Sequence, residues 1–547
     1  MTYLNGFHYF LSLPMLFKGR SWLLALILFG LIGCGKHSHP YKKIFRYNES
    51  SGITSLDPLK ATNLSNIWAV QQIYEGLFLI DSAGLLQPLL VDSWTVNDSM
   101  DEYNFILKRN VFFHEDECFG GQRKKMTAYD VVYSYRRILE SSSSWVLQNV
   151  EVDSLTNSPN ILVKDSFELK VFLKEPSKTF PQMLAIPICG IVAQEAIEKY
   201  GADFRRHPIG TGPFVFKTWH ENEKLILHKN SNYHQQGLPL IDAISISFLK
   251  DKQTALLEFI RGEFDLLSGI DAAYKDELLT GDGNLKEKYN RFIKLSKQPY
   301  LNTEYLGIQL ESEDDSPLKD VHIRKALNYG MDRNKLITYI RNGIGIPGSF
   351  GIVPPVLYKD SLGGYSFNKQ KFDEEIKLSS YRNVSSVPSI KLSTDVAYTD
   401  VCTFIANQWN ELGFKIQLDV MDRPTLKSEI AKGNISFFRA SWIADYPDPE
   451  NYLSLFYSPL KSPAGPNYTH FKNENFDMLY RQILSSGNDS LRFENFKAME
   501  KLIQYESPVI ILYYDQVVRF INKRIKNLPN HPMNYLDLRK IDINYNS

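Results

Sequence analysis

The sequence predicts an α/β protein of more than one lobe, on three observations. At 547 residues the chain outgrows a single hydrophobic core, which stops enlarging near ~250–300 residues. Strand-like and helix-like apolar patterns succeed one another along the body with no internal repeat and no long low-complexity tract. A composition of 43% hydrophobic and 23% charged residues is that of an ordinary soluble globular chain. Sixty-two basic residues balance 62 acidic ones, which removes the electrostatic argument for nucleic acid or a membrane surface as a partner. Tyr (31) and Phe (33) are plentiful, which suits broad amphipathic contacts and ordinary cores alike.

The first forty residues read as targeting rather than fold. Lys18 and Arg20 precede an apolar run from Trp22 to Gly33 that stops at Cys34, the layout of a secretory signal. The run is shorter than the ~20 residues a membrane span needs. Leu31-Ile32-Gly33-Cys34 resembles a bacterial lipobox, in which the cysteine is diacylated and becomes the mature N-terminus. Residues 1–34 are then the signal and Cys34 the lipidated residue. Residues 1–14 hold no lysine or arginine, so Met15 is a second candidate start. Residues 35–43, polar and breaker-rich through Pro40, read as a linker, in which His37 and His39 fit solvation better than metal binding. Cys118, Cys189 and Cys402 remain, an odd number that allows at most one internal disulfide. An oxidising compartment would permit Cys118–Cys189, a pairing that sequence does not establish.

Within the body, Thr127-Ala128-Tyr129-Asp130 is a capping box opening a helix to about Leu139, with Val131, Tyr135 and Ile138 on one face. Leu225–His228 and Ile244–Phe248 alternate as strands. Asp320 to Tyr329 reads as a second helix closed by Gly330, and Asp332 caps a third through about Ile340. Loops are expected at 141–144, 280–284, 312–317 and 458–466. The acidic run Glu311–Asp315 lacks the spaced ligands and glycine of a calcium loop. Gly210-Thr211-Gly212-Pro213 suits a tight backbone passage into a strand, and lacks the Lys-Ser/Thr that would make it a phosphate loop. Arg324 follows Asp320 by four residues, a spacing that allows a surface ion pair, and a solvated or structural arginine is favoured over a role at the lobe interface.

Five segments then stand in order along some 400 residues. They are Ser55-Leu56-Asp57-Pro58 with Gln72-Ile73-Tyr74-Glu75-Gly76-Leu77-Phe78; Gln87-Pro88-Leu89-Leu90-Val91-Asp92-Ser93-Trp94 through the capped helix; Pro208-Ile209-Gly210-Thr211-Gly212-Pro213-Phe214; Val321-His322-Ile323-Arg324-Lys325-Ala326-Leu327; and Trp442-Ile443-Ala444-Asp445-Tyr446-Pro447-Asp448-Pro449-Glu450-Asn451. Together they resemble the family-5 extracellular solute-binding proteins, which include dipeptide- and oligopeptide-binding proteins. The resemblance implies a two-lobed periplasmic-binding-protein-like fold of the cluster C type, closing by hinge motion. It implies a first lobe from 44–85, 206–297 and 512–547, a small subdomain at 86–205 inserted in it, and a second lobe at 298–511. It also implies a role: a lipid-anchored, monomeric receptor with no chemistry or cofactor of its own. Such a receptor sits at the periplasmic or outer face of a bacterial membrane and hands short peptides to an ABC permease and its ATPases.

The last segment carries the expected site. Phe437 to Trp442 reads as a strand, and Pro447 and Pro449 end regular structure, which puts Asp445 in a loop at a strand end. In peptide-binding members the aspartate of this motif takes the peptide's α-ammonium, and Asp445 falls on that position. A cation entering a closed cleft requires such a partner; the alternative is an ordinary turn-forming Asp. Arg439 falls where an oligopeptide-binding relative has an arginine for the peptide carboxylate, and a structural ion pair is the equal alternative. If both roles hold, the fixed gap favours peptides of about two to five residues at about 3.3 Å each. Trp442 is pocket wall or core. Ile443 departs from one relative, which has a disulfide-bonded cysteine there.

Rival readings exist. Relatives carry nickel chelates, haem or oligosaccharides, but the His residues are scattered and Asp445 favours an amine. Asp445, Asp448 and Glu450 make an awkward metal cage because of the intervening prolines. An exported peptidase would need a nucleophile or metal motif, and neither HExxH nor G-x-S-x-G occurs. A peptide-handling chaperone on the same lobes stays open.

Overall fold

The computed structural model describes residues 43–153, 158–269, 272–312, 316–358 and 363–545. The signal, Cys34 and residues 35–42 of the linker lie outside them. Among the described residues no helix is long and apolar enough to cross a membrane.

One eleven-stranded sheet runs through the body. At one end lie, in spatial order, Leu266–Ser268, Ile44–Asn48, Ala243–Ser247, Lys224–Lys229 and Phe214–His220; at the other, Phe437–Ile443, Ile390–Asp395 and Ile416–Met421. The central strands, Ile293–Ile308 and Val509–Asn522, are 16 and 14 residues long and antiparallel. Their ladder runs from Ile293↔Asn522 to Pro299↔Gln516, breaks, and resumes from Thr303↔Tyr514 to Gly307↔Val509. Pro299 has no N–H to donate, which helps end the first ladder.

Apolar residues segregate to either side of that break. Phe45, Leu225, Ile244 and Ile521 belong to one core, and Leu306, Ile323, Leu392, Phe437 and Ile510 to another. A third core, with Leu301, Tyr452, Phe476 and Met499, supports the segment that follows Trp442. The result is two lobes joined by two strands, and the break is the natural place to bend. The first lobe is completed from the far end of the chain, where Asn534 O accepts from Trp68 Nε1 at 2.8 Å and Leu536 O from Gln72 Nε2 at 2.7 Å.

A four-stranded antiparallel sheet, ordered Val91–Val96, Glu102–Leu107, Glu168–Phe172, Ile161–Asp165, adds a smaller layer whose Tyr103, Phe105 and Leu169 join the first core. Helix Ala128–Leu139 covers it with Val131, Tyr135 and Ile138 buried, as their spacing predicts. Its capping box is formed: the Asp130 carboxylate accepts from Thr127 N at 2.8 Å. Gly210 and Gly212 press on the C-terminal end of helix Leu64–Ile73; a Cβ on Gly210 would lie 2.1 Å from Ile73 O, so the tight passage is real. Cys118, Cys189 and Cys402 are all free thiols.

Two expectations need correction. Arg324 is no surface group: it is buried, and donates to Glu506 O at 2.7 Å, Leu318 O at 2.8 Å and Lys319 O at 2.9 Å, while Asp320 caps the helix Val321–Tyr329. A guanidinium has five donors, and three carbonyls at a chain crossing use them better than one solvated carboxylate. The third helix begins as expected at Asp332 but is α-helical only over Arg333–Lys335, and Leu336–Ile340 widens into a π-helical turn.

Candidate ligand-binding site

Strand Phe437–Ile443 pairs with Asn302–Ile308 of the central pair, and its ladder ends at Ile443↔Asn302. Ala444 N still reaches Leu301 O at 2.8 Å; Asp445 is the first residue beyond. A short turn through Pro447 and Pro449 leads to the helical turn Glu450–Leu453, so Asp445 stands in a loop at a strand end, as expected.

Buried polar groups fix this loop. Asp448 receives Arg492 Nη2 at 3.1 Å and Glu450 N at 2.9 Å. The Glu450 carboxylate accepts the hydroxyls of Tyr446 and Tyr480. Asn451 Oδ1 accepts both Trp442 Nε1, at 2.8 Å, and Asp445 N, at 3.2 Å, and so ties the indole to the aspartate backbone. Asp448 and Glu450 are therefore engaged inside the protein, and no group of three or more His, Cys, Asp or Glu among the described residues is arranged to hold a metal ion.

Asp445 differs from both neighbours. It is partly buried, and no lysine or arginine among the described residues lies within ion-pair distance of it. Burial pushes its carboxyl up to about 6, against a smaller opposing effect of the Asn451 hydrogen bond. Its surroundings are phenolic: Tyr452 and Tyr535 are raised by burial and further by the Asp445 charge. Tyr535 belongs to the returning C-terminal segment, and the turn at Gly84 packs near Pro447 and Pro532. The turn at Gly84 and the C-terminal segment, far apart in the sequence, therefore meet around the Asp445 loop. Elsewhere the lobes touch: Lys178 donates its backbone N–H to Leu484 O at 3.2 Å and its ammonium pairs with Asp489.

Arg439 lies on the same strand, 5% exposed. Its Nη2 pairs with Glu304, its Nη1 lies 3.7 Å from Asp395, and its guanidinium stacks 3.1 Å over the Tyr398 ring. Arg439 Nε is buried with no acceptor. Trp442 is half-buried and packs at the edge of the third core, so it serves as a wall on one side and core on the other.

A cavity of about 510 Å³ opens at the break in the central strands. Tyr300, Arg341 and Asp515 line it from the hinge side, and Glu49, Trp68 and Ser268 from the first lobe. Arg341 Nη2 contacts Asp515 Oδ1 at 2.6 Å and its Nη1 donates to Tyr513 OH at 3.0 Å. Tyr300 connects the two regions: it lines the cavity and its phenol lies within the electrostatic reach of Tyr452 and Tyr535. Sequence reading missed Glu49, Tyr300, Arg341 and Asp515. They stand on four separate segments, and no local spacing signals that they meet.

The profile of the bacterial extracellular solute-binding proteins, family 5 (middle region), matches residues 86–463. The chain belongs to that family. As a family-5 solute-binding protein it aligns with the glutathione-binding protein GsiB of Escherichia coli K12 at 26% identity over 482 residues, 87% of this chain and 90% of that one. Its fold is that of HbpA2 from Haemophilus parasuis, with a TM-score of 0.79 at 20% identity, over 92% of this chain and 100% of that one. It is also that of DppA from Helicobacter pylori, solved with the peptide STSA, with a TM-score of 0.71 at 19% identity, over 92% and 98%.

Proposed function

We propose that this family-5 protein is a lipid-anchored receptor that encloses short peptides between its lobes and delivers them to an ABC permease for import. The observation that carries the reading is Asp445, a partly buried carboxylate with no lysine or arginine partner among the described residues, at a strand end where the C-terminal segment approaches. A site that holds an unneutralised carboxylate out of water is built for a cation, and a peptide's α-ammonium supplies one. Backbone hydrogen bonds, as in strand addition, would hold the remainder of the ligand.

In this reading Trp442 forms the wall beside the ammonium. Arg439 offers its unpartnered Nε–H, and exchanges Glu304 in part for the ligand carboxylate. The first lobe is taken as 44–85, 206–297 and 512–547, the inserted subdomain as 86–205 and the second lobe as 298–511. Cys34 carries the lipid, and acyl mass on the N-terminal peptide of membrane-extracted protein tests that part separately.

Support for a peptide-like cargo also comes from the names of the relatives, one bound to a peptide and one a glutathione-binding protein. Glutathione, a γ-linked tripeptide with one ammonium, is the second reading that the GsiB alignment favours. The test is mass spectrometry of what co-purifies with residues 35–547, parent against Asp445→Ala, followed by calorimetric titration with α-linked tripeptides and glutathione. Short peptides on the parent and their loss from the variant support the reading. Peptides retained equally by both remove Asp445 from the site. A metal chelate, haem or sugar overturns the cargo, and a cleaved peptide would make the protein a peptidase.

A further inference from the structure

Two carboxylates near the break in the central strands have no lysine or arginine partner among the described residues, whereas the cations there are engaged. Asp445 is the first. Glu49 is the second: it sits on the cavity wall just after strand Ile44–Asn48, and Ser51 bonds it through its backbone N–H, at 3.1 Å, and through its hydroxyl. It is half-buried, and among the described residues no lysine or arginine approaches it. Arg341, on the opposite wall, is neutralised by Asp515 at 2.6 Å. Lys252 lines the cavity as well and has a partner of its own. Arg519, behind Trp68, is turned away to the carbonyls of Asn534 and Tyr535.

The rest of the wall suits the same ligand chemistry. Tyr300 and Trp68 offer aromatic surface, Ser268 and Asn534 are polar, and the space is about 510 Å³, roomy enough for an extended side chain. A carboxylate beside aromatic faces is the usual recognition chemistry for an ammonium or guanidinium.

We infer that Glu49 and the cavity beside Arg341 form a second cation subsite, so that the preferred cargo is a short peptide bearing a basic side chain besides its α-ammonium. The inference rests on the peptide reading above and names the class of peptide within it. The hydrophobic alternative, an apolar side chain in the same space, would leave the Glu49 carboxylate desolvated and unpaired. An acidic side chain would place two carboxylates together.

The test is a titration series at pH 7 with Ala-Ala-Ala, its three single-lysine variants, Ala-Leu-Ala and Ala-Glu-Ala, run on parent protein and on Glu49→Gln. A charge-assisted contact of this kind corresponds to about a tenfold preference or more. At least one lysyl peptide should bind the parent about tenfold tighter than Ala-Ala-Ala, with Ala-Glu-Ala weakest. In Glu49→Gln the ratio between that lysyl peptide and Ala-Leu-Ala should fall toward one. Equal affinities across the series on the parent, or a lysyl preference that survives Glu49→Gln, overturns the inference while the peptide reading stands. Failure of every peptide to bind overturns both. Glu49→Asp, which keeps the charge, should retain part of the preference, and a circular-dichroism melt distinguishes misfolding from loss of the subsite.

Discussion

An Asp445→Asn substitution keeps the size of the side chain and removes its charge. Burial lifts the Asp445 carboxyl from 3.8 to about 6 in the empty protein. A rise of about two pK units corresponds to about 3 kcal/mol. The folded-state value lies above the unfolded one, so this contribution to stability is fully present below about pH 4 and is lost as pH rises through about 6. At pH 7.5 the empty parent therefore bears the cost of an ionised carboxylate that has the Asn451 hydrogen bond but no cation among the described residues. Asparagine does not bear it, apart from roughly 1 kcal/mol for an imperfectly bonded amide. With about 2 cal/mol/K of unfolding entropy per residue, a chain this long shifts by about 1 °C per kcal/mol. The ligand-free variant should thus melt about 2 °C higher than the parent at pH 7.5 and near the parent at pH 4. Ligand affinity should move oppositely, weakening by about 2–5 kcal/mol because a buried charge pair loses one partner. Differential scanning calorimetry of both proteins at the two pH values, with titration calorimetry of an identified peptide, measures both. A variant that melts below the parent at pH 7.5, or a parent–variant difference independent of pH, would refute the argument. In the parent, peptide affinity should fall about tenfold per unit below pH 6, as protons compete for the carboxylate.

Glu500, fully buried with its carboxylate on the N–H groups of Ile352 and Val353 at 3.1 and 2.9 Å, is pushed up to about 7 by burial. Its stabilising contribution is present below about pH 4.5 and lost as pH rises through about 7, so Glu500→Gln should remove roughly 3 kcal/mol of pH dependence from urea unfolding between pH 4.5 and 8. Arg439→Met leaves Glu304 and Asp395 buried without a cation; it should destabilise by about 3–5 kcal/mol, and adding Glu304→Gln should recover much of that in the same assay. Gly210→Ala would put a methyl 2.1 Å from Ile73 O; a loss of about 1–3 kcal/mol or more is expected, or failure to accumulate folded protein, and a near-parental melt would contradict the packing.

How much of this was readable in advance depends on how local the cause is. The capping box at Thr127–Asp130, the buried face of its helix and the strand end before Asp445 are set by neighbours within a turn or two, and each appears where its pattern puts it. The fold class needed five ordered motifs, because alternation alone does not say how two lobes are threaded. Of the readings open for Arg324 the structural one holds, and the i, i+4 pair with Asp320 fails because the arginine's acceptors include Glu506 O, 182 positions downstream. The motif singles out Asp445 but does not say what becomes of Asp448; Arg492, 44 residues away, shows that Asp448 is internally paired. The hinge was invisible locally, because strand Ile293–Ile308 lacks clean alternation: its second half is buried on both faces.

The contacts of Trp68 and Gln72 with Asn534 and Leu536 bear on the order in which the molecule can be made. A chain emerging from its N-terminus holds five strands of the first lobe's sheet by residue 268, yet lacks both the strand that pairs with Leu266–Ser268 and the segment that closes its core. The second lobe, by contrast, needs only the start of the strand Val509–Asn522 to finish. The later-synthesised lobe is therefore the first that can complete itself, and the earlier one waits, with Trp68 uncovered, until residues 534–536 arrive.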